Sequence, residues 1–185
     1  IDSPIIYAYD SDDNKINDYV NKIINLVNNE VELNNYYPEN FMFIFPIMKS
    51  NIIANELETK LQEFWINKFK IMKTVTNEYW KNYDHKQYTQ YVYLHKHTEG
   101  QCINTKDSIK ATRIMSIRTS KGDGREVVFI LGTTEKSLRL VSNNNINLVY
   151  ESHLHVALTR AKKKIYFGLV NNNDEIHSRF GEQGY

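Results

Sequence analysis

A single cysteine, Cys102, stands among 185 residues. One thiol closes no internal disulfide, so the chain is not a stapled secreted scaffold and suits a reducing compartment. Three prolines and seven glycines are too few for a collagen-like or low-complexity chain. No stretch reaches the roughly 20 apolar residues of a membrane span. The opening residues Ile1, Asp2, Ser3 and Pro4 carry neither an initiator Met nor a signal-peptide pattern. The expectation is a piece of a longer protein, cytoplasmic or nuclear, with no membrane partner.

What the chain does have is the material of a core. Apolar residues at 41% and aromatics at 12% mark a folded chain of one domain. Formal charge is +1, yet it is graded along the sequence. Residues 1–59 hold 3 basic and 10 acidic side chains, 60–110 hold 9 and 5, and 111–185 hold 11 and 7. A basic part of the surface can recruit phosphates, and solvated helix faces account for the gradient equally well.

Periodicity gives an α/β reading. Ile5–Tyr9 is a short run of β-formers, followed by Asp10, Ser11, Asp12 and Asp13, which can cap a helix. Tyr19, Val20, Ile23, Ile24 and Val27 then recur at helical spacing. Phe41–Met48 is almost wholly apolar, as in a strand buried on both faces of a parallel sheet. Ser50 is the expected cap of a helix with the stripe Ile53, Leu57, Leu61 and Phe64. Residues 65–90, polar and aromatic, read as helix and loop. Tyr91–Leu94, Ile114–Ile117 and Val127–Leu131 are further apolar runs, Asn143–Asn145 marks a loop, Leu148–Ala161 reads as a helix and Ile165–Val170 as a last strand. Alternation of this kind predicts a mostly parallel sheet with helices on both faces.

Three segments carry candidate chemistry: Pro46–Leu61 (PIMKSNIIANELETKL), Ile114–Gly132 (IMSIRTSKGDGREVVFILG) and Leu154–Gly168 (LHVALTRAKKKIYFG). In this order they resemble motifs IV, V and VI of superfamily 1 helicases, the class of the UvrD/Rep and Upf-type enzymes. Val156–Ala161, VALTRA, is the most specific match, and the motif V loop is similar to that of helicases from large DNA viruses. The resemblance spans the chain, weakest over 65–110. It implies that residues 1–185 form the second, C-terminal RecA-like motor domain of an ATP-dependent helicase. The implied partners are single-stranded DNA or RNA and an N-terminal RecA-like domain of the same protein, in the host cell's viral factory or the virion if the source is viral.

The resemblance also implies roles. Arg160 stands where the family has its arginine finger, the guanidinium that stabilises charge on the transferred phosphoryl group. Lys49 falls at a motif IV Arg that meets the γ-phosphate, although lysine is a point charge and not a bidentate fork. Ser116 and Arg118 stand where the family has Thr and His, facing nucleic-acid phosphates. Lys121 and Gly122 match its Lys-Gly pair, Lys121 on the nucleic acid and Gly122 beside the nucleotide. The family's ribose-contacting Glu falls on Gly124 in a gapless alignment; a one-residue shift to the Upf-like Gly-Arg-Glu makes Glu126 the equivalent. Lys162, Lys163 and Lys164 read as solvated or phosphate-facing.

Each residue also has a plainer reading. Gly122 and Gly124 suit ordinary turns, and Arg160 or Lys49 suits a solvated helix end. The pairs His95/His97 and His153/His155 lack a third ligand, so no metal site is expected. Tyr79, Trp80, Tyr83, Tyr88, Tyr91 and Tyr93, interleaved with Lys81, Lys86 and Lys96, can stack bases, although packing explains them better. No glycine is followed by lysine, so the phosphate-cradling Walker A loop is absent. Asp174 and Glu175 come three asparagines after the last strand, a poor Walker B. ATP and its Mg²⁺ would therefore be completed by another domain. A catalytically inactive, helicase-derived binding or scaffold module in viral replication is the competing reading.

Overall fold

The computed structural model describes residues 5–9, 13–72, 90–96, 105–120, 124–145 and 155–170. In chain order these form β1 (Ile5–Tyr9), α1 (Asp13–Asn34), β2 (Phe41–Phe45), α2 (Ile52–Met72), β3 (Val92–Leu94), β4 (Thr112–Ser116), β5 (Arg125–Thr133), α3 (Glu135–Val141), α4 (His155–Leu158) and β6 (Ala161–Val170). Among the described residues six strands make one sheet in the order β1-β6-β5-β2-β4-β3, and every pairing is parallel. The α/β, RecA-like expectation is met.

Two cores follow from strand alternation. Phe41, Phe43 and Phe45 of β2 point toward α1 and α2, where Tyr19, Val20, Ile23, Val27 and Val31 of α1 meet Leu57, Leu61, Trp65 and Phe69 of α2. Met42 and Ile44 point the other way, to Met115, Val128, Ile130, Phe167, Leu138 of α3 and Ala157 of α4. Helices thus cover both faces, with the longer pair over the larger core. Each fully buried apolar side chain contributes about 1.5–3 kcal/mol; β2, which like β4, β5 and β6 meets both cores, is buried throughout.

Local boundaries depart from expectation for physical reasons. The strand beginning at Phe41 ends at Phe45 and not at Met48, because Pro46 has no N–H to continue a ladder. Ser50 does not cap α2: it is exposed, with φ of +54°. Asn51 is the cap, its Oδ1 accepting from the Ala54 N–H at 3.0 Å and its Nδ2 donating to the Ile47 carbonyl at 2.8 Å. Phe64 is only partly buried. Trp65 takes the central position, fully buried, with Nε1 donating to Thr112 Oγ1 at 3.1 Å. The described part of the expected 148–161 helix is one turn, His155–Leu158, and β6 starts at Ala161, so Lys162–Lys164 lie in a strand. The tyrosines and Trp80 of 73–89, with His97 and His153, lie outside the described residues. Among those described, no helix is long and apolar enough to cross a membrane.

Candidate functional site

A parallel sheet has two chemically different edges. At the N-terminal edge, the first residue of β2, Phe41, lies beside Val127, the third of β5, and β5 and β6 begin in register, Arg125 beside Ala161. Glu126 and Arg160, 34 positions apart in sequence, therefore lie at one edge. The Arg125 N–H donates to the Arg160 carbonyl at 3.0 Å. Gly124 permits this approach, since a Cβ there would lie 3.3 Å from the same carbonyl and 3.6 Å from Lys162 Cε. The half-buried Arg160 guanidinium turns back on its own helix, Nε donating to the Val156 carbonyl at 3.0 Å and Nη2 to Thr159 Oγ1 at 3.1 Å.

The register between β5 and β6 then slips. Arg125 opposes Ala161 and Val127 opposes Lys164, so Lys162 and Lys163 share the single residue Glu126. This is a β-bulge, a device common beside functional sites because it re-aims side chains. Glu126 lies 4.0 Å from Lys162 Nζ and 3.5 Å from Lys163 Nζ. Lys163 also sits over the Tyr36 ring, 5.8 Å from its centroid, and its pKa is raised, first by Tyr36 and then by Glu126. A polar cavity of about 230 Å³ opens beside Glu126, bounded by Glu39, Lys110, Gly124, Arg125 and Lys162.

Buried arginines hold this edge. Arg125, 9% exposed, donates to the carbonyls of Glu39 and Ile109, the latter at 2.9 Å. Arg113 on β4 donates to Ser108 Oγ at 2.9 Å and the Thr105 carbonyl at 2.6 Å. His95 Nε2 shares a 2.8 Å hydrogen bond with the same Ser108 hydroxyl. His95 is thus part of a polar knot; no three His, Cys, Asp or Glu side chains converge among the described residues.

Lys164 corrects the reading of the lysine run as uniformly solvated. It reaches the core face and meets Glu30 of α1 at 2.7 Å, with the Glu30 side chain only 4% exposed. Tyr166 donates to the same carboxylate. The Lys164 pKa is raised, first by its hydrogen bond to Glu30. Tyr166 is pushed up to about 12 by burial and then by Glu30.

The C-terminal edge carries the rest. Lys49 is exposed four residues beyond the end of β2, Ser116 ends β4 beside Phe45, and Arg118 follows in the next turn. Lys49 therefore stands at the opposite edge from Glu126 and Arg160, because it follows the end of a strand where they lie at the start of theirs. It is not brought into their group. Ser116 Oγ shares a 3.2 Å hydrogen bond with Thr119, and Arg118, though exposed, donates to the Val141 carbonyl at the end of α3. A second bulge sits here: Leu131 and Gly132 oppose Gly168, with Gly132 at φ +66°, the left-handed region that a glycine enters freely. Lys121 and Gly122 lie outside the described residues. Sequence reasoning missed Arg125, Lys110 and the lysine bulge. The available signal was the lysine run itself, since three successive strand positions cannot all face solvent on a sheet covered on both sides.

Neither a protein-family model nor a curated protein matches the sequence. Among solved structures, the fold is similar to that of the C-terminal domain of a possible DNA helicase from Lactobacillus plantarum WCFS1. The TM-score is 0.51 at 11% identity, over 96% of this chain and 80% of that one. The likeness is one of fold.

Proposed function

We propose that residues 1–185 are the second RecA-like motor domain of an ATP-dependent superfamily 1 helicase, working in the replication of a large DNA virus. In this reading ATP binds between the N-terminal sheet edge and a first motor domain outside these residues that supplies the Walker A loop. The described residues offer no acidic set for Mg²⁺, so the ion is assigned to that other domain. Arg160 swings from its own helix to the γ-phosphate and stabilises the charge that spreads over the transferred group. Glu126 accepts from the ribose, and Gly122 lets the backbone approach the nucleotide. At the opposite edge Ser116 and Arg118 meet the phosphates of a single strand, and Lys121, outside the described residues, is given the same ligand by the resemblance alone. Closure on ATP and reopening on release move the two sites relative to each other. One observation carries the reading most: Glu126, second in β5, and Arg160, just before β6, lie at the starts of neighbouring strands joined by the Arg125–Arg160 backbone bond at 3.0 Å. The helicase in the description of the similar structure agrees with it.

The test is Arg160→Ala in the full-length gene product. Steady-state hydrolysis should fall by roughly 10³–10⁵-fold, while single-strand binding by anisotropy and the melting temperature hold. The isolated chain should hydrolyse no ATP. A normally folded Arg160→Ala protein with near wild-type turnover would sink the reading. The second reading, an inactive scaffold, draws on the inward-turned Arg160 guanidinium; it predicts a full-length product that binds single strands without hydrolysis.

A further inference from the structure

We infer that the bulge at Lys162 and Lys163 is a polyphosphate subsite and that Glu126 is its built-in counter-ion, which the phosphate displaces. The inference deepens the nucleotide reading of this edge and rests on it.

A regular strand would send Lys162 and Lys163 to opposite faces of the sheet. The bulge gives both a single opposing residue, Glu126. Two ammonium groups against one carboxylate leave a surplus positive charge. Lys110 lines the cavity that Lys162 and Glu126 share, itself held by Glu39 at 3.0 Å. The contacts to Glu126 are long, 4.0 and 3.5 Å, and the lysines are 60% and 64% exposed. Ion pairs of this kind contribute little and exchange readily. Lys164 shows the contrast within the same run: its partner Glu30 is buried and the pair is closed.

The ligand class follows from competition. Glu126 offers one negative charge, already tethered, so a monoanion gains nothing by replacing it. A di- or triphosphate brings several charges in a compact, multidentate form and can engage both lysines at once. Its arrival strips Glu126 of its partners and leaves that carboxylate free to accept hydrogen bonds from the rest of a nucleotide. Phosphate binding and carboxylate release are then one event.

The probe is inorganic tripolyphosphate, titrated calorimetrically into the 185-residue chain at low salt. Glu126→Gln should tighten binding about three- to tenfold, since the interaction it removes is on the order of that between unit charges at about 4 Å in water. The double variant Lys162→Ala/Lys163→Ala should lose at least about tenfold, and Lys163→Gln alone part of that, with thermal melts checking the fold of each. Unchanged or weaker binding in Glu126→Gln overturns the inference, as does undiminished binding in a folded lysine variant. The two readings fail separately, because this titration needs neither hydrolysis nor a second domain. Tripolyphosphate binding with the expected signs beside an indifferent Arg160→Ala enzyme removes the motor and leaves the subsite. The reverse result removes only the subsite.

Discussion

The two edges of the sheet are built on different terms. At the N-terminal edge buried charge sets the frame: Arg125 and Arg113 are buried on backbone carbonyls and the buried Glu30 holds Lys164, while Lys162 and Lys163 stand exposed at the bulge. At the C-terminal edge Lys49 and Arg118 are exposed. Buried charge costs several kcal/mol per ion unless paired and hydrogen-bonded, so the first edge is fixed in geometry as the second need not be. Groups that must meet a phosphoryl group with precision gain from the first kind of edge. Those that track a mobile backbone suit the second.

Substitutions that unpair charge at each edge sharpen the contrast. The largest effect should come from Glu30→Ala, which strands the Lys164 ammonium and the Tyr166 hydroxyl; a loss of about 3–5 kcal/mol is expected in denaturant unfolding. A loss below 1 kcal/mol would mean that the pair is open to water. Tyr166→Phe should cost less, about 1.5–3 kcal/mol, for one hydrogen bond to a charged acceptor.

It should also alter the alkaline limit. Tyr166 titrates near 10 unfolded and about 12 folded, so its contribution is complete below pH 10 and is lost as pH rises to 12, when only the unfolded chain first releases the proton. Lys164, also raised, acts in the same direction. Melting temperatures should therefore fall across that window, less steeply in Tyr166→Phe. The smallest effect belongs to the other edge. Arg118→Ala removes an exposed donor from the end of α3 and should cost less than about 1 kcal/mol, read in the same unfolding assay. An equal cost at both edges would break the comparison.

The elements legible in the sequence are those whose signal is local. Helical spacing from Tyr19 to Val27 and the apolar run from Phe41 identify α1 and β2, since each face must find a core. The start of β6 was hidden because Lys164 looks like a solvent residue until its partner, 134 positions away, is known. Asn51 and Ser50 are both good caps by type, and only the backbone turn at Ser50 decides between them. Lys49 and Arg160 are set apart by direction: in a parallel sheet, a residue after a strand and one before a strand reach opposite edges. Glu126 is the second residue of β5 and Arg160 immediately precedes β6, and that shared end of neighbouring strands is what unites them.

The sheet order has a consequence for biosynthesis. Among the described residues β1 pairs with β6 alone, Ile5 beside Tyr166 and Tyr9 beside Val170. On a ribosome adding about 5–20 residues per second, the first strand waits on the order of ten seconds or more for its neighbour. The ladder it closes joins the most distant strands of the chain, the kind of contact whose loop-closure entropy slows folding. During that interval the backbone groups that β1 will pair with β6 lack that partner, so completion of the sheet waits on the last strand.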